Sequence, residues 1–265
     1  MSKKLAIGAS HLLLDVKTGS GAFMKTVEQA RALAQAMVDI GQLAGLKTVA
    51  AITTMDQPLG HAIGNALEMA EAIAVLHGKG PQDVSELCYH EAAELLVMTE
   101  TATSLSEAER RVEQAIHSGA AIAKLTEVIA AQGGDSRQIE QPELLPAAPV
   151  RSMLTAPRSG YIAAIEAEQM GIVSMRLGAG RLKKGDEIDH RTGLVLQAKV
   201  GTYLRAGEPL VKIHARSEFE VASVRAALLD CYTWSDAPEY GRGTPCGYPA
   251  PVNAGPLIYD VIRPT

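Results

Sequence analysis

The strongest constraint on how this chain can fold is a strand–helix–strand pattern within residues 11–52. Residues 11–16 (HLLLDV) are a short apolar run of β type that ends in a polar turn. A Gly-rich stretch over 17–23 (KTGSGAF) leads to Thr26, with Gln29 three positions on, the spacing of a capping box. Ala30, Leu33, Ala34, Met37, Val38 and Gly41 then recur with the helical period, and Gly45 stands where a C-terminal cap belongs. Residues 47–52 (KTVAAI) supply a second buried β run. Strands joined through a helix run parallel, and the crossover helices cover the faces of the sheet. The pattern predicts an α/β fold, a mostly parallel sheet with flanking helices.

Residues 53–60 (TTMDQPLG) form a polar loop at the carboxyl end of the second strand, where α/β sheets place their chemistry. Helices are expected over residues 64–76 and, in three segments, over 83–131, one of them opened by Ser104 with Glu107. Residues 133–150, rich in Gly, Gln and Pro, have the composition of a linker. The texture then changes to short β segments separated by glycine, at 160–164, 171–174, 193–200 and 209–214. Residues 217–230 read as one helix, with Glu220 completing a capping box on Ser217, and 237–254 as an irregular tail segment. These shifts divide the chain into an α/β core over 1–132, a linker over 133–150 and a smaller β-rich C-terminal module over 151–265.

Composition narrows the classes of function. The net charge is −5 and only 4% of residues are aromatic, which argues against a nucleic-acid or anionic-membrane surface. No apolar run approaches the roughly 18 residues of a membrane-spanning helix, and no signal-peptide core follows the first residues. Cys88, Cys231 and Cys246 are odd in number and widely spaced, which fits a reduced, cytoplasmic chain rather than a disulfide framework or a zinc site.

Few motifs carry chemistry by themselves. Residues 19–26 (GSGAFMKT) approach a phosphate-binding P-loop, but Met24 stands where that motif needs Gly before Lys25, so the reading fails. The glycines still permit a tight turn whose amides either face a ligand or close on one another. Residues 199–210 (KVGTYLRAGEPL) resemble the hairpin of biotinyl and lipoyl carrier domains. Lys199 opens that segment instead of standing at a hairpin tip, so a barrel-like β module without a prosthetic group is expected. Glu68 and Glu71 lie three apart on one helix face, as a shared site or as a solvated acidic edge. Asp56 is placed like a catalytic residue, though an Asx-turn accounts for it equally well. Lys3 and Lys4 would pass for a frayed basic end.

The runs 1–6 (MSKKLA), 14–24 (LDVKTGSGAFM), 54–60 (TMDQPLG) and 64–68 (GNALE) resemble, in order and spacing, the pyrimidine-nucleoside phosphorylases and the closely related thymidine phosphorylases. The resemblance continues to residues 256–262 (PLIYDVI), similar to the ending of the broad-specificity branch, and leaves only about 239–254 looking foreign. In that family the run 1–4 lies well inside the protein. The resemblance therefore implies a C-terminal portion with a partial catalytic core, lacking the strands of the phosphate loop and the helices that carry a base-contacting Arg and Ser. It implies a nucleoside phosphorylase/phosphoribosyltransferase-like core. The implied reaction is reversible phosphorolysis of uridine, thymidine or deoxyuridine to free base and a pentose 1-phosphate, with turnover impaired in this chain alone.

By the same resemblance, Lys3 matches the family's base-binding lysine and Phe23 an aromatic packed against the pyrimidine. Leu59 and Ala62, through their carbonyls, and Glu71, through its carboxylate, match a potassium site whose other ligands come from the family's front part. Oxygen-only ligation suits such a hard, weakly held cation. The resemblance further implies inorganic phosphate as co-substrate, no organic cofactor, no nucleic-acid or membrane partner, and a homodimeric family. A different class stays open: a non-catalytic remnant, or one subunit of a split enzyme whose partner chain brings the missing front. An anthranilate phosphoribosyltransferase-like enzyme fits less well, because 14–24 and the β module favour the nucleoside branch.

Overall fold

The computed structural model of the protein describes residues 1–236 and 255–264. The first elements are α1 (Ser2–Leu5), β1 (His11–Thr18), α2 (Val27–Leu43), β2 (Lys47–Thr54), β3 (Ala62–Ile63) and α3 (Asn65–Leu76). Helices α4 (Gln82–Met98), α5 (Leu105–His117), α6 (Ala120–Ala131) and the short α7 (Arg137–Glu140) follow. Then come β4 (Val150–Thr155), β5 (Gly160–Ile165), α8 (Ala167–Ser174), β6 (Gly193–Leu196), β7 (Tyr203–Leu204) and β8 (Pro209–Ala215). The last are α9 (Glu218–Asp230), β9 (Tyr232–Ser235) and β10 (Ile258–Ile262). The residues separate into two compact units. The first is built from Met1–Met55, Val75–Lys124 and the chain from Gly255 onward, the second from Asp56–Ala74 and, among the described residues, 125–236.

In the first unit β2 is the middle strand of three. It pairs in parallel with β1, from His11 opposite Lys47 to Thr18 opposite Thr54, as the crossover pattern requires. Residues 48–54 are all buried, which is why β2 reads as a continuous apolar run and not as an alternating one. Helix α2 starts at Thr26, whose hydroxyl accepts the Gln29 N–H, and lays Ala30, Ala34 and Val38 on Leu14, Val16, Ala50 and Ile52. Gly41 lets this helix approach closely, since a Cβ there would stand 2.0 Å from Thr48 Oγ1. The other edge of β2 takes β10 antiparallel. Ion pairs of Arg31 with Asp260 and of Arg263 with the buried Glu94 hold that strand down.

The second unit contains two antiparallel sheets, β3-β6-β8-β4 and β7-β5-β9. Its core gathers Leu154, Ile162, Met170, Leu194, Leu210, Ile213 and Leu228. The compact units cut across the division drawn from sequence texture. Residues 56–74 pack with the β-rich module because β3 adds to β6, with Ala62 opposite Val195 and Ile63 opposite Leu194. The two backbones cross at a pair of glycines, where a Cβ on Gly64 would meet Thr192 O at 2.4 Å and one on Gly193 would meet Ile63 O at 2.1 Å. Both glycines hold φ near +140° (139° and 147°), which disfavours any other residue as well. Conversely, β10, expected within the module, belongs to the sheet of β1 and β2.

One further expectation is corrected and another is refined. Residues 171–174 are the end of helix α8, not a strand; Met170, Val173, Ser174 and Leu177 are buried at helical spacing, a stripe that the short window between glycines concealed. The expected linker is mostly exposed, but it contains the short helix α7 and is anchored by Ile139 and Ala148, 1% and 5% exposed. Helix α9 begins as the capping box predicted, with Ser217 accepting the Glu220 N–H. The irregular segment expected at 237–254, and Cys246 within it, lie outside the described residues.

Strand β8 buries His214, whose Nε2 has no hydrogen-bond partner among the described residues. Burial first, then the nearby charges of Lys212 and Arg151, push its pKa down to about 4. An unfolded histidine titrates near 6.5, so between these values the unfolded chain binds the extra proton and stability falls as pH falls. The loss between pH 7 and pH 4.5 should be on the order of 2 kcal/mol. Thermal midpoints measured at both pH values should drop in the wild type, and drop less in His214→Leu.

Candidate functional site

In the first unit the glycine-rich stretch after β1 closes on itself. The Gly19 N–H donates to Met24 O at 3.1 Å, Gly21 to Met55 O at 2.9 Å and Ala22 to Gly19 O at 3.1 Å. These amides are used by the backbone, so the stretch is a structural turn and not a phosphate cradle. Its effect is to carry Phe23 at the tip, 98% exposed. Lys3 is exposed on the single turn of α1, and among the described residues its ammonium has no hydrogen bond or ion pair. Met1, beside it, packs partly into the cluster of Leu14, Val16 and Ile52. Both sequence-predicted substrate contacts are therefore presented and uncommitted, one cationic and one aromatic, although no direct contact joins them.

A polar cluster in the same unit escaped sequence reasoning. Lys17 pairs with Asp15 at 2.6 Å and donates to Thr53 Oγ1 at 2.9 Å, and that hydroxyl donates in turn to Asp15. Glu91 of α4 faces the group; burial, and then the Asp15 charge, raise its pKa above the usual carboxylate range. Cys88, one turn earlier, is exposed as a residue, but partial desolvation of its thiol and then the Glu91 charge raise its pKa, so the thiol is not activated. The signal was available as alternation along β1, where Leu14 and Val16 face the core while Asp15 and Lys17 share the other face.

In the second unit the loop 56–64 is tied down on several sides. Lys199 donates to the carbonyls of Pro58 and, at 2.7 Å, Gly60, and the Val200 N–H donates to Gln57 Oε1 at 3.0 Å. The carbonyl of His61 accepts the Leu196 N–H at 2.8 Å, and its ring Nδ1 lies 2.8 Å from Leu196 O. Glu71 Oε1 accepts two backbone amides, from His61 at 2.9 Å and Ala62 at 3.1 Å. Glu68 caps the start of α3 through the Gly64 N–H at 2.9 Å, so Glu68 is a helix cap and the two acids of the sequence pair have separate tasks. Asp56 is exposed at the beginning of the loop.

These bonds bring two of the three proposed cation ligands together. The Ala62 N–H points to Glu71 and away from β6, and in a strand the carbonyl of the same residue is turned to the same side. The Ala62 carbonyl and the Glu71 carboxylate thus share one edge of β3, and Glu71 Oε2 has no hydrogen-bond partner among the described residues. Leu59 lies three residues earlier in the clamped loop. A carbonyl–carboxylate set fits a hard cation; among the described residues no three His, Cys, Asp or Glu side chains gather as a metal cluster. A hollow of about 160 Å³ beside Gly64, lined by Glu68, Ser174 and Met175, is too small for a nucleoside. No helix among the described residues is long and apolar enough to cross a membrane.

Residues 1–122 match the family model of the glycosyl transferase family a/b domain, and residues 161–235 match that of the pyrimidine nucleoside phosphorylase C-terminal domain. The pyrimidine-nucleoside phosphorylase of Staphylococcus haemolyticus (strain JCSC1435) is 48% identical over 218 residues, which cover 82% of this chain and 50% of the relative. Those of Staphylococcus epidermidis and of Staphylococcus aureus (strain USA300) are each 49% identical with the same coverage. The chain thus spans about half the length of the curated relatives it matches.

Glu71 is expected to stabilise the loop whether or not an ion is present. Glu71→Leu, which takes the acceptor from two amides, should lower stability by about 1–3 kcal/mol, and Glu71→Gln, which keeps a carbonyl acceptor, should recover most of that. Urea-unfolding midpoints of the two variants check this, and equal losses would contradict it.

Proposed function

We infer the function from one premise: the chain belongs to the pyrimidine-nucleoside phosphorylase family. We propose that it takes part in reversible phosphorolysis, a pentosyl transfer in which inorganic phosphate attacks the anomeric carbon of uridine, thymidine or deoxyuridine. The base leaves with the bonding electrons, and a pentose 1-phosphate remains. The observation that carries this reading is the succession of the two family models along one chain, the glycosyl transferase a/b domain and then the phosphorylase C-terminal domain.

The chemistry needs a cation or hydrogen-bond donors facing the charge that develops on the departing ring. Lys3 supplies that cation, because its ammonium is exposed and has no internal partner among the described residues. Phe23 supplies an apolar face to the pyrimidine, consistent with its full exposure on a turn in which the Gly19, Gly21 and Ala22 amides are already paired. Leu59, Ala62 and Glu71 hold a potassium ion together with ligands beyond them, the ion contributing fixed positive charge and loop order. No organic cofactor enters the reaction. Cytoplasmic location and assembly as a homodimer belong to the same reading.

The test is release of uracil or thymine by the purified chain, with and without phosphate, alone and mixed with the separately expressed front half of the Staphylococcus aureus relative. Phosphate-dependent release is expected, and Lys3→Ala should reduce it on the order of 100-fold, the usual cost of removing one donor to developing charge. Release that requires the added half assigns the chain the role of one subunit. No release in either arrangement would overturn the proposal, and release indifferent to Lys3→Ala would remove Lys3 from it.

A further inference from the structure

We propose that Lys199 is the positioning residue that sets the geometry of the cation-binding loop. The proposal rests on the assignment of Leu59, Ala62 and Glu71 to a potassium ion. Lys199 opens the carrier-like segment, yet its side chain is half-buried and folds back onto the loop. Its ammonium donates to the carbonyls of Pro58 and Gly60, the two neighbours of Leu59, and both of those residues are buried. One charge therefore fixes the chain on either side of the peptide that carries the Leu59 carbonyl.

The rest of the loop is fixed independently. Gln57 is held by the Val200 N–H, His61 by Leu196 and Glu71, and Ala62 by Glu71. Within 57–62, Leu59 alone makes no hydrogen bond to a described residue, which leaves its carbonyl for an external partner. The ammonium also commits the Pro58 and Gly60 carbonyls, so that they do not compete for an incoming cation. A charge-assisted donor is the suitable device, since it binds two carbonyls at once and more strongly than a neutral group would. The arrangement is that of an outer residue orienting a ligand it does not itself supply, and loss of such residues typically weakens metal affinity about 10–100-fold.

The experiment follows the thermal midpoint of the full chain, mixed with the separately expressed front half of the Staphylococcus aureus relative that brings the remaining ligands, as potassium chloride replaces choline chloride at constant ionic strength. An ion that binds only the folded state raises the midpoint, and the dependence gives a half-saturating concentration. In Lys199→Met that concentration should rise about tenfold or more, while Lys199→Arg should stay within about threefold of the wild type. Should Lys199→Met fail to fold, Lys199→Gln takes its place with the same expectation. Ile213→Val, a core substitution in β8, should lower the midpoint without moving the potassium dependence. An unchanged half-saturation in Lys199→Met, or an equal shift in Ile213→Val, overturns the positioning role and leaves the cation assignment standing. If the wild type shows no potassium-specific rise, or Glu71→Gln an identical one, the cation assignment fails and the role of Lys199 fails with it.

Discussion

The organisation of the proposed site depends on how backbone polar groups between Gln57 and Gly64 find partners. The loop has almost no secondary structure of its own, and Pro58, Gly60, Ala62 and Gly64 are buried. A buried carbonyl or amide without a partner costs about 1–3 kcal/mol, so a loop in this position persists only if something supplies donors and acceptors. Here a lysine ammonium, one carboxylate and the last residue of the neighbouring strand β6 do so. The crossing of Gly64 and Gly193 brings β3 close enough to β6 for this to happen, because any Cβ at either position would collide with backbone. The proposed ligands and the module residues are in this sense one structure, and the β-rich module takes part in building the proposed site.

The first unit solves a different problem. Its middle strand is buried along nearly all its length, and its outer strands come from opposite ends of the chain. Adding β10 to the sheet partly buries Tyr259 and Ile262 and uses Arg31 and Arg263 to neutralise Asp260 and Glu94. Asp15, Lys17 and Thr53 form a neutral cluster in which each polar group answers another. Beside that cluster, Lys3 and Phe23 are presented outward without internal use. The chemistry assigned to them requires that condition.

Much of this was legible in the sequence, for identifiable reasons. Local signals with a single physical outcome came through, among them the caps at Thr26, Ser104 and Ser217 and the parallel pairing of β1 with β2. The failure of the P-loop reading at Met24 was visible too, and the closed turn agrees with it. Features that depend on partners far along the chain were not legible. Nothing local marks Gly64 and Gly193 as a crossing, and nothing near Ile258 predicts pairing with Ile52 and its neighbours. Lys199 is the sharpest case: sequence showed only that it was misplaced for a carrier lysine, and its use emerged from contacts 139 and 141 residues away. Glu68 and Glu71 looked equivalent on one helix face and differ because one meets the start of its own helix and the other two amides of the preceding loop.

The central claim is that the β-rich module and Glu71 of α3 together hold the loop 57–64 in a fixed conformation. Amide hydrogen exchange resolved at His61, Ala62 and Val200 tests it most directly, since these three N–H groups make the bonds on which the claim rests. The account predicts exchange as slow as that of the buried strand β8, with all three amides opening together with the module. Exchange at the rate of an open surface loop, while β8 remains protected, would contradict it.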